Sequence, residues 1–374
     1  MRTETAGGGD VEPGTAAVRP RILVLSTRNP YPPRQGDDVR LVGLLRAAAT
    51  LGDTTLAVWG QAGARDGAEV PVQVFPLTQW AFVSGVVRHQ LSGRPLVVGP
   101  YSRGFPMVVG TWDLVVGFQL KTWRWATVLS ADRRVLDIVD SLARYAQSAA
   151  LPAGKRLQLR GAGREEVQAG RMFDWVWVSS QADQDYLANA IGAKLQVVAN
   201  GPLEIHPLPL ATGSRRLLFV ANHNYPPNRQ GLRWFLQEVW PRLVAEGFSL
   251  DLVGKGSEVY ARYPGVSAHG PVEAVDAFYA KACCAISPVW WGGGSQSKIW
   301  EALGYGRCIV VRPEGAVGIP PRPEVEMALR RDDWVAAVKK VASGAKPLDV
   351  FPTTVTAQMS RALSTVLPTN RSQA

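Results

Sequence analysis

The chain has 374 residues, 46% of them hydrophobic and 19% charged, with a formal net charge of +10. That composition describes an ordinary globular protein with room for about two domains, and no apolar run reaches the roughly 18 residues that a membrane-crossing helix needs. The basic excess is spread along the chain without dense runs, which argues against nucleic acid as a partner and points to an anionic substrate or an anionic bilayer surface.

Residues 1–19 are rich in Gly, Thr, Ala and Glu, with neither a basic start nor an apolar core, so a disordered tail is expected there and not a signal peptide. Cys283, Cys284 and Cys308 show no CxxC spacing. The expected compartment is therefore the cytoplasm.

Arg21–Ser26, RILVLS, reads as a buried strand, and the prolines and glycine of TRNPYPPRQGDD interrupt regular structure before Asp37 caps a helix. Val39, Val42, Leu45 and Ala49 are spaced for that helix, and TTLAVWG supplies the next strand. Further strands are expected at WDLVVGF, RRVLDIV, DWVWVSS and KLQVVAN. Strand, glycine loop, helix, strand is the start of a parallel sheet covered by helices. Between them, LKTWRWATV sets Trp123 and Trp125 beside Lys121 and Arg124, a mix that suits a membrane interface, an apolar acceptor groove or plain packing.

Residues 201–214 are rich in proline and read as a linker, after which the pattern restarts with RRLLFVAN, a loop HNYPPNRQG, a helix and SLDLVG. Two doubly wound halves imply a cleft between the carboxyl ends of their strands. Helices are also expected over 330–341 and within TTVTAQMSRALSTVL near the end.

The densest signal is Ala285–Val311: strand, three glycines, capped helix, strand. Gly292, Gly293 and Gly294 let a bulky ligand approach their N–H groups, and Ser295 and Ser297 can cap a helix whose N-terminus favours an anion. Lys298 and Glu301 share a helix face beside that loop, a cation for phosphate and an acceptor for a ribose diol. The alternative is an ordinary strand-to-helix turn with a solvated Lys–Glu pair. Asp183 and Asp185 form a D-x-D, but they fall where a strand gives way to a helix and read as capping residues. The four histidines show no paired metal spacing, so no metal site is expected.

Taken together, these blocks resemble the GT-B glycosyltransferases of family 4, also called glycosyl transferases group 1. FVANHNYPPNRQGLRWFLQEVWPRL and GPVEAVDAFYAKACCAISPVWWGGGSQSKIWEALGYGRCIVV are similar to that family's second-half blocks. PYPPRQGDDVRLVGLLR, SGRPLVVGPYSR, VLDIVDSLARY and FDWVWVSSQAD are similar to bacterial sugar transferases of exopolysaccharide and exosortase systems. The resemblance implies two Rossmann-like domains facing across a cleft, and transfer of a sugar from a nucleotide diphosphate donor to a hydroxyl acceptor. It further implies retention at the anomeric carbon, with no cofactor and no metal. It gives Lys298 to the diphosphate and Glu301 to the ribose. Gly36, Asn222, Asn224, Asn228, Gly292, Gly293, Gly294, Ser295 and Gln296 would surround the donor, with Arg40, Asp140 and Ser141 on the acceptor side.

Four positions depart from the family pattern: Gly293 for a sugar-contacting Glu, Gln296 for Arg, Gly117 for His and Val317 for Glu. They leave open a degenerate sugar-binding scaffold, and a sugar-nucleotide epimerase of the same architecture is the second alternative. The expected division is a tail over 1–19, an acceptor-side domain over 20–200, a linker over 201–214, a nucleotide-sugar domain over 215–345 and a closing helix and tail over 346–374. The acceptor is expected to be an envelope or lipid-linked saccharide or a small secondary metabolite. Peripheral contact with an anionic membrane at its cytoplasmic face is expected through the LKTWRWATV segment.

Overall fold

The computed structural model describes residues 18–33, 35–61, 67–148, 151–291, 297–344, 348 and 352–367. Its first half runs β1 (Arg21–Arg28), α1 (Gly36–Leu51), β2 (Asp53–Gln61), β3 (Val72–Pro76), α2 (Gln79–Leu91), β4 (Trp112–Phe118), α3 (Trp123–Val128), β5 (Ala131–Val139), α4 (Leu142–Ala146), α5 (Ala153–Gln158), α6 (Ala162–Arg171), β6 (Trp175–Val178), α7 (Gln181–Ile191) and β7 (Leu195–Val197). The second half follows with β8 (Arg216–Val220), α8 (Pro226–Trp234), a π-helical stretch over Phe235–Val239, α9 (Trp240–Ala245), β9 (Ser249–Val253), β10 (Val266–Ala268), α10 (Asp276–Lys281), β11 (Cys284–Ser287), α11 (Ser297–Gly304), β12 (Ile309–Val311), β13 (Val325–Met327), α12 (Arg331–Ser343) and α13 (Val355–Val366).

Two sheets result, both parallel throughout, in the orders β3-β2-β1-β4-β5-β6-β7 and β10-β9-β8-β11-β12-β13. Helices cover both faces of such sheets, which is why strands such as RILVLS and SLDLV read as continuous apolar runs instead of alternating ones. Strand order reverses between β1 and β4 in the first sheet and between β8 and β11 in the second. Crevices open outside the carboxyl ends at such switch points, so the loops after β1, β4, β8 and β11 are the ones positioned to meet a ligand.

The chain's last helix returns to the first domain. Val355, Met359, Leu363 and Val366 of α13 are buried in one cluster with Leu41, Leu44, Leu45 and Ala48 of α1. This accounts for α1 being apolar around much of its circumference: one face meets the sheet and another meets α13. The segment 201–214 is fastened down despite its prolines. The buried Arg307 guanidinium donates to the carbonyls of Tyr279, Leu208 and Pro209, at 2.8, 2.9 and 2.6 Å.

Trp123 and Trp125 correct one expectation. They are 4% and 1% exposed, with Trp123 Nε1 donating to Glu165 Oε1 at 2.9 Å and Trp125 Nε1 to the Pro106 carbonyl at 3.0 Å. Trp125 also meets Trp59 and Phe75 edge-on. A buried indole needs a partner for its N–H, and here the protein supplies both, so these rings pack the first domain and meet neither membrane nor acceptor. Among the described residues no helix is long and apolar enough to cross a membrane.

Candidate active site

The first residues of two helices, one from each domain, meet at the cleft. Gly36 opens α1 behind the proline-rich loop of the first domain, and Ser297 opens α11 in the second. A Cβ built on Gly36 would lie 3.1 Å from Ser297 Cβ and 3.2 Å from its Oγ, a spacing that glycine accommodates and a larger residue would crowd. The start of a helix carries a partial positive charge that favours an anion; α11 brings that charge together with Lys298, whereas α1 begins with Asp37 and Asp38, which Arg28 meets at 3.4 and 2.9 Å. Gly292, Gly293, Gly294, Ser295 and Gln296 lie outside the described residues.

Lys298 and Glu301 occupy the first turns of α11 and are both half-buried. Burial pulls the Lys298 amine down to about 8, against the opposing pull of the Glu301 charge. Glu301 is pushed up from the usual carboxylate range, again chiefly by burial. Its Oε1 accepts from Tyr279 Oη at 2.9 Å, and the Tyr279 ring stacks on Tyr305 at 4.4 Å and 14°. The carboxylate is thus held by a rigid aromatic floor from α10 and the turn after α11. Tyr279 and Tyr305 both fall within the family-like block over 270–311, but nothing in the sequence gives them a role.

The loop after β8 faces α11. Asn222 and Asn224 are exposed, with Asn222 Oδ1 accepting from the Asn224 N–H at 3.1 Å. Asn228 is buried and braces the turn by donating to the Asn222 carbonyl at 2.9 Å. His223 is buried between them, its ring N–H side meeting the Val253 carbonyl at 3.1 Å. Burial first, and the nearby Lys298 charge in part, push it down to about 4, so it is a neutral packing residue at physiological pH.

On the first domain's side, the carboxyl ends of β4 and β5 are bent out of the ordinary. Gln119 and Val139 both have positive φ, 65° and 68°. A β-branched residue there costs about 1–3 kcal/mol, the kind of strain that accumulates at ligand sites. Gln119 donates to Asp37 Oδ2 at 2.8 Å, and Asp140 follows directly on Val139. Burial pushes the Asp140 carboxyl up to about 7, opposed by the Ser179 hydroxyl that donates to it at 2.7 Å. The Tyr145 hydroxyl of α4 interacts with Tyr225 at the start of α8, so the two domains meet here as well. Beside this contact Trp291 packs with Leu151 and Leu159 of the first domain and donates to Gln230 at 2.8 Å.

Two expected acceptor-side residues sit behind the site. Arg40 is 1% exposed, forks onto both oxygens of Asp137 at 2.9 Å and reaches the Val198 carbonyl and Asn200 at 2.8 and 2.7 Å. It is a strut joining α1 to β5 and the end of the first sheet. Ser141 is equally buried, capping α4 and donating to Glu166 at 2.9 Å. Burial pushes Glu166 up to about 7. Of the three, Asp140 is the one that is only partly buried. Ser180, and not Asp183, caps α7, its hydroxyl accepting from the Asp183 N–H at 3.2 Å; the Asp183 carboxylate accepts instead from the Ser141 N–H and Arg144 Nε at 3.1 and 2.7 Å, while Asp185 accepts from Gln181 on the surface. At Gly117 an added Cβ would meet Thr122 Oγ1 at 2.9 Å, so the family's histidine could not simply be restored there. Among the described residues no cluster of His, Cys, Asp and Glu could hold a metal ion.

Two parallel, switch-pointed sheets facing across a cleft define the GT-B fold, each sheet with its helices forming a Rossmann-like domain. Within the second, residues 214–343 match the family model of the glycosyl transferases group 1. A variant of TarM from S. aureus, solved with Fondaparinux, α-GlcNAc-glycerol and UDP, superposes with a TM-score of 0.61 at 8% identity, covering 92% of this chain and 96% of that one. Sucrose-phosphate synthase from Thermosynechococcus elongatus gives 0.60 at 13%, covering 93% and 95%. HepE from Anabaena in complex with UDP-glucose gives 0.58 at 14%, covering 93% and 95%. No curated relative matches the chain's sequence.

Proposed function

We propose that the protein transfers a sugar from a nucleotide diphosphate donor to a hydroxyl-bearing acceptor, with retention at the anomeric carbon and without a metal ion. The observation that carries this reading is the meeting of two helix N-termini at Gly36 and Ser297, with Lys298 and the Tyr279-held Glu301 one turn away. The glycosyl transferases group 1 match and the similarity in fold to proteins solved with UDP and UDP-glucose support it.

In this reading the leaving diphosphate lies beside the contact of the two helix ends, and the Lys298 ammonium neutralises the charge that develops as the glycosidic bond breaks. Glu301 accepts from the ribose hydroxyls. The exposed Asn222 and Asn224 contact the donor from the loop after β8. Asp140 faces the acceptor hydroxyl. A carboxyl with its midpoint near neutrality is suited to accept that proton late in the step. The protein's part is chiefly positioning and electrostatics.

Nucleoside diphosphate release from a panel of nucleotide sugars, followed with purified protein in EDTA, tests the reading. Turnover that survives the chelator supports it. Turnover that vanishes in EDTA and returns with manganese or magnesium contradicts the metal-free mechanism. Sugar binding without turnover would favour the scaffold, and a changed sugar without transfer the epimerase.

A further inference from the structure

Helix α2 is turned inside out relative to a helix that packs for its own protein. Its buried residues are Gly85 and His89, while Trp80, Phe82, Val83, Val87 and Leu91 are exposed, Trp80 by 78% and Leu91 by 84%. Trp80, Val83, Val87 and Leu91 follow at intervals of three, four and four residues and so form one outward stripe. Burying the small side and exposing the large one is unfavourable in water, and an exposed apolar stripe of this size marks a contact surface.

The charge around it selects the occupant. No Asp or Glu occurs between Glu69 and Asp113, while Arg88, Arg94 and Arg103 do. Arg88 and Arg103 are exposed, and Met107 and Val109 in the same acid-free segment are 81% and 85% exposed. A second copy of this chain docking symmetrically would bring arginine against arginine with no acid from the segment to pair them. A bilayer bearing anionic lipids supplies the missing charge and accepts Trp80 at its interface.

We propose that the outer face of α2 is a peripheral docking surface for an anionic membrane. The chain that follows α2 leads toward the second domain. Val97, six residues past Leu91, packs in the cluster that contains Trp291, the residue just before the glycine run. An amphipathic acceptor held in the bilayer would therefore reach the site along the α2–α5 side, which rests on the transfer reading above, whereas the docking surface itself does not.

Sedimentation of the full chain with phosphatidylcholine vesicles, with and without phosphatidylglycerol, at low and high salt, tests the surface without donor or acceptor. The wild type is expected to bind the anionic vesicles at low salt and to release them as salt rises. The double variant Trp80→Glu, Leu91→Glu, both at exposed positions, is expected to bind about tenfold or more weakly, while its nucleoside diphosphate affinity stays unchanged. Failure of the wild type to bind anionic vesicles at low salt overturns the proposal, as does undiminished binding by the double variant. A wild-type dimer that the same substitutions dissociate would assign the face to a second copy instead.

Discussion

Gly36 of the first domain and Ser297 of the second are in contact across the cleft, with only 3.1 Å between the position of a Cβ on one and the Cβ of the other. The domains thus close on each other where two helices begin, and glycine is what lets them. Gly36→Val should keep the fold, since the new methyls point into the cleft and not into a core. It should weaken nucleoside diphosphate binding by roughly tenfold by forcing α1 and α11 apart. Calorimetric affinity beside a thermal melt checks this; unchanged affinity would mean the contact has no part in the site.

The Lys298 amine, brought to about 8 by burial, sets a pH dependence. The protonated form is the one that attracts a diphosphate, so affinity should be flat below about pH 8 and fall above it, by up to about tenfold per unit. Lys298→Arg, which stays charged, should move that decline beyond the measurable range. A wild-type profile that is level between pH 7 and 9.5 would argue that the amine does not face the phosphates.

Glu301 and Tyr279 should behave as a unit. Glu301→Gln is expected to weaken nucleotide binding more than it slows the chemical step, because ribose hydroxyls keep their charge throughout the reaction. Tyr279→Phe removes the hydroxyl that holds the carboxylate at 2.9 Å and should cost about threefold to tenfold in the same affinity. Combining the two should add little, and full additivity in a double-mutant cycle would show that they act separately.

Asp140 carries a stability cost with a defined sign. Its folded midpoint near 7 lies above the ordinary aspartate value of 3.8, so the stability present at low pH is lost as pH rises between those values. Asp140→Asn escapes that loss while keeping an acceptor for the Ser179 hydroxyl. The variant should melt higher than wild type at pH 8, match it near pH 4, and transfer sugar poorly. Equal melting at pH 8 would remove the argument that burial sets this carboxyl's titration.

Arg40→Ala distinguishes a strut from an acceptor contact. Leaving Asp137 buried without its guanidinium should destabilise the first domain by about 3–5 kcal/mol. A well-folded variant with only a raised acceptor KM would return Arg40 to the acceptor side.

The two sheets were legible because parallel strands buried on both faces write themselves as apolar runs, and the strand, loop and helix around Lys298 carry turn chemistry at fixed spacing. The strand Val72–Pro76 and helix α2 were missed for opposite reasons. The strand is short, at the sheet edge and half-exposed, and the helix presents its apolar stripe to solvent, so neither follows the pattern of burial. Arg40, Trp123 and Trp125 misled because charge and aromaticity in a sequence do not say which way a side chain points. Tyr145 meeting Tyr225, and Gly36 meeting Ser297, depend on how two domains close and leave no local trace.

The central claim is that Lys298 neutralises a leaving nucleoside diphosphate. Turnover of the best nucleotide sugar by wild type and by Lys298→Ala, both shown to be folded, tests it most directly. Loss of the Lys298 ammonium should lower turnover by about two to four orders of magnitude, corresponding to about 3–5 kcal/mol for one preorganised charge on a developing anion. Turnover within about threefold of wild type, under the same measure of transition-state stabilisation, would contradict it.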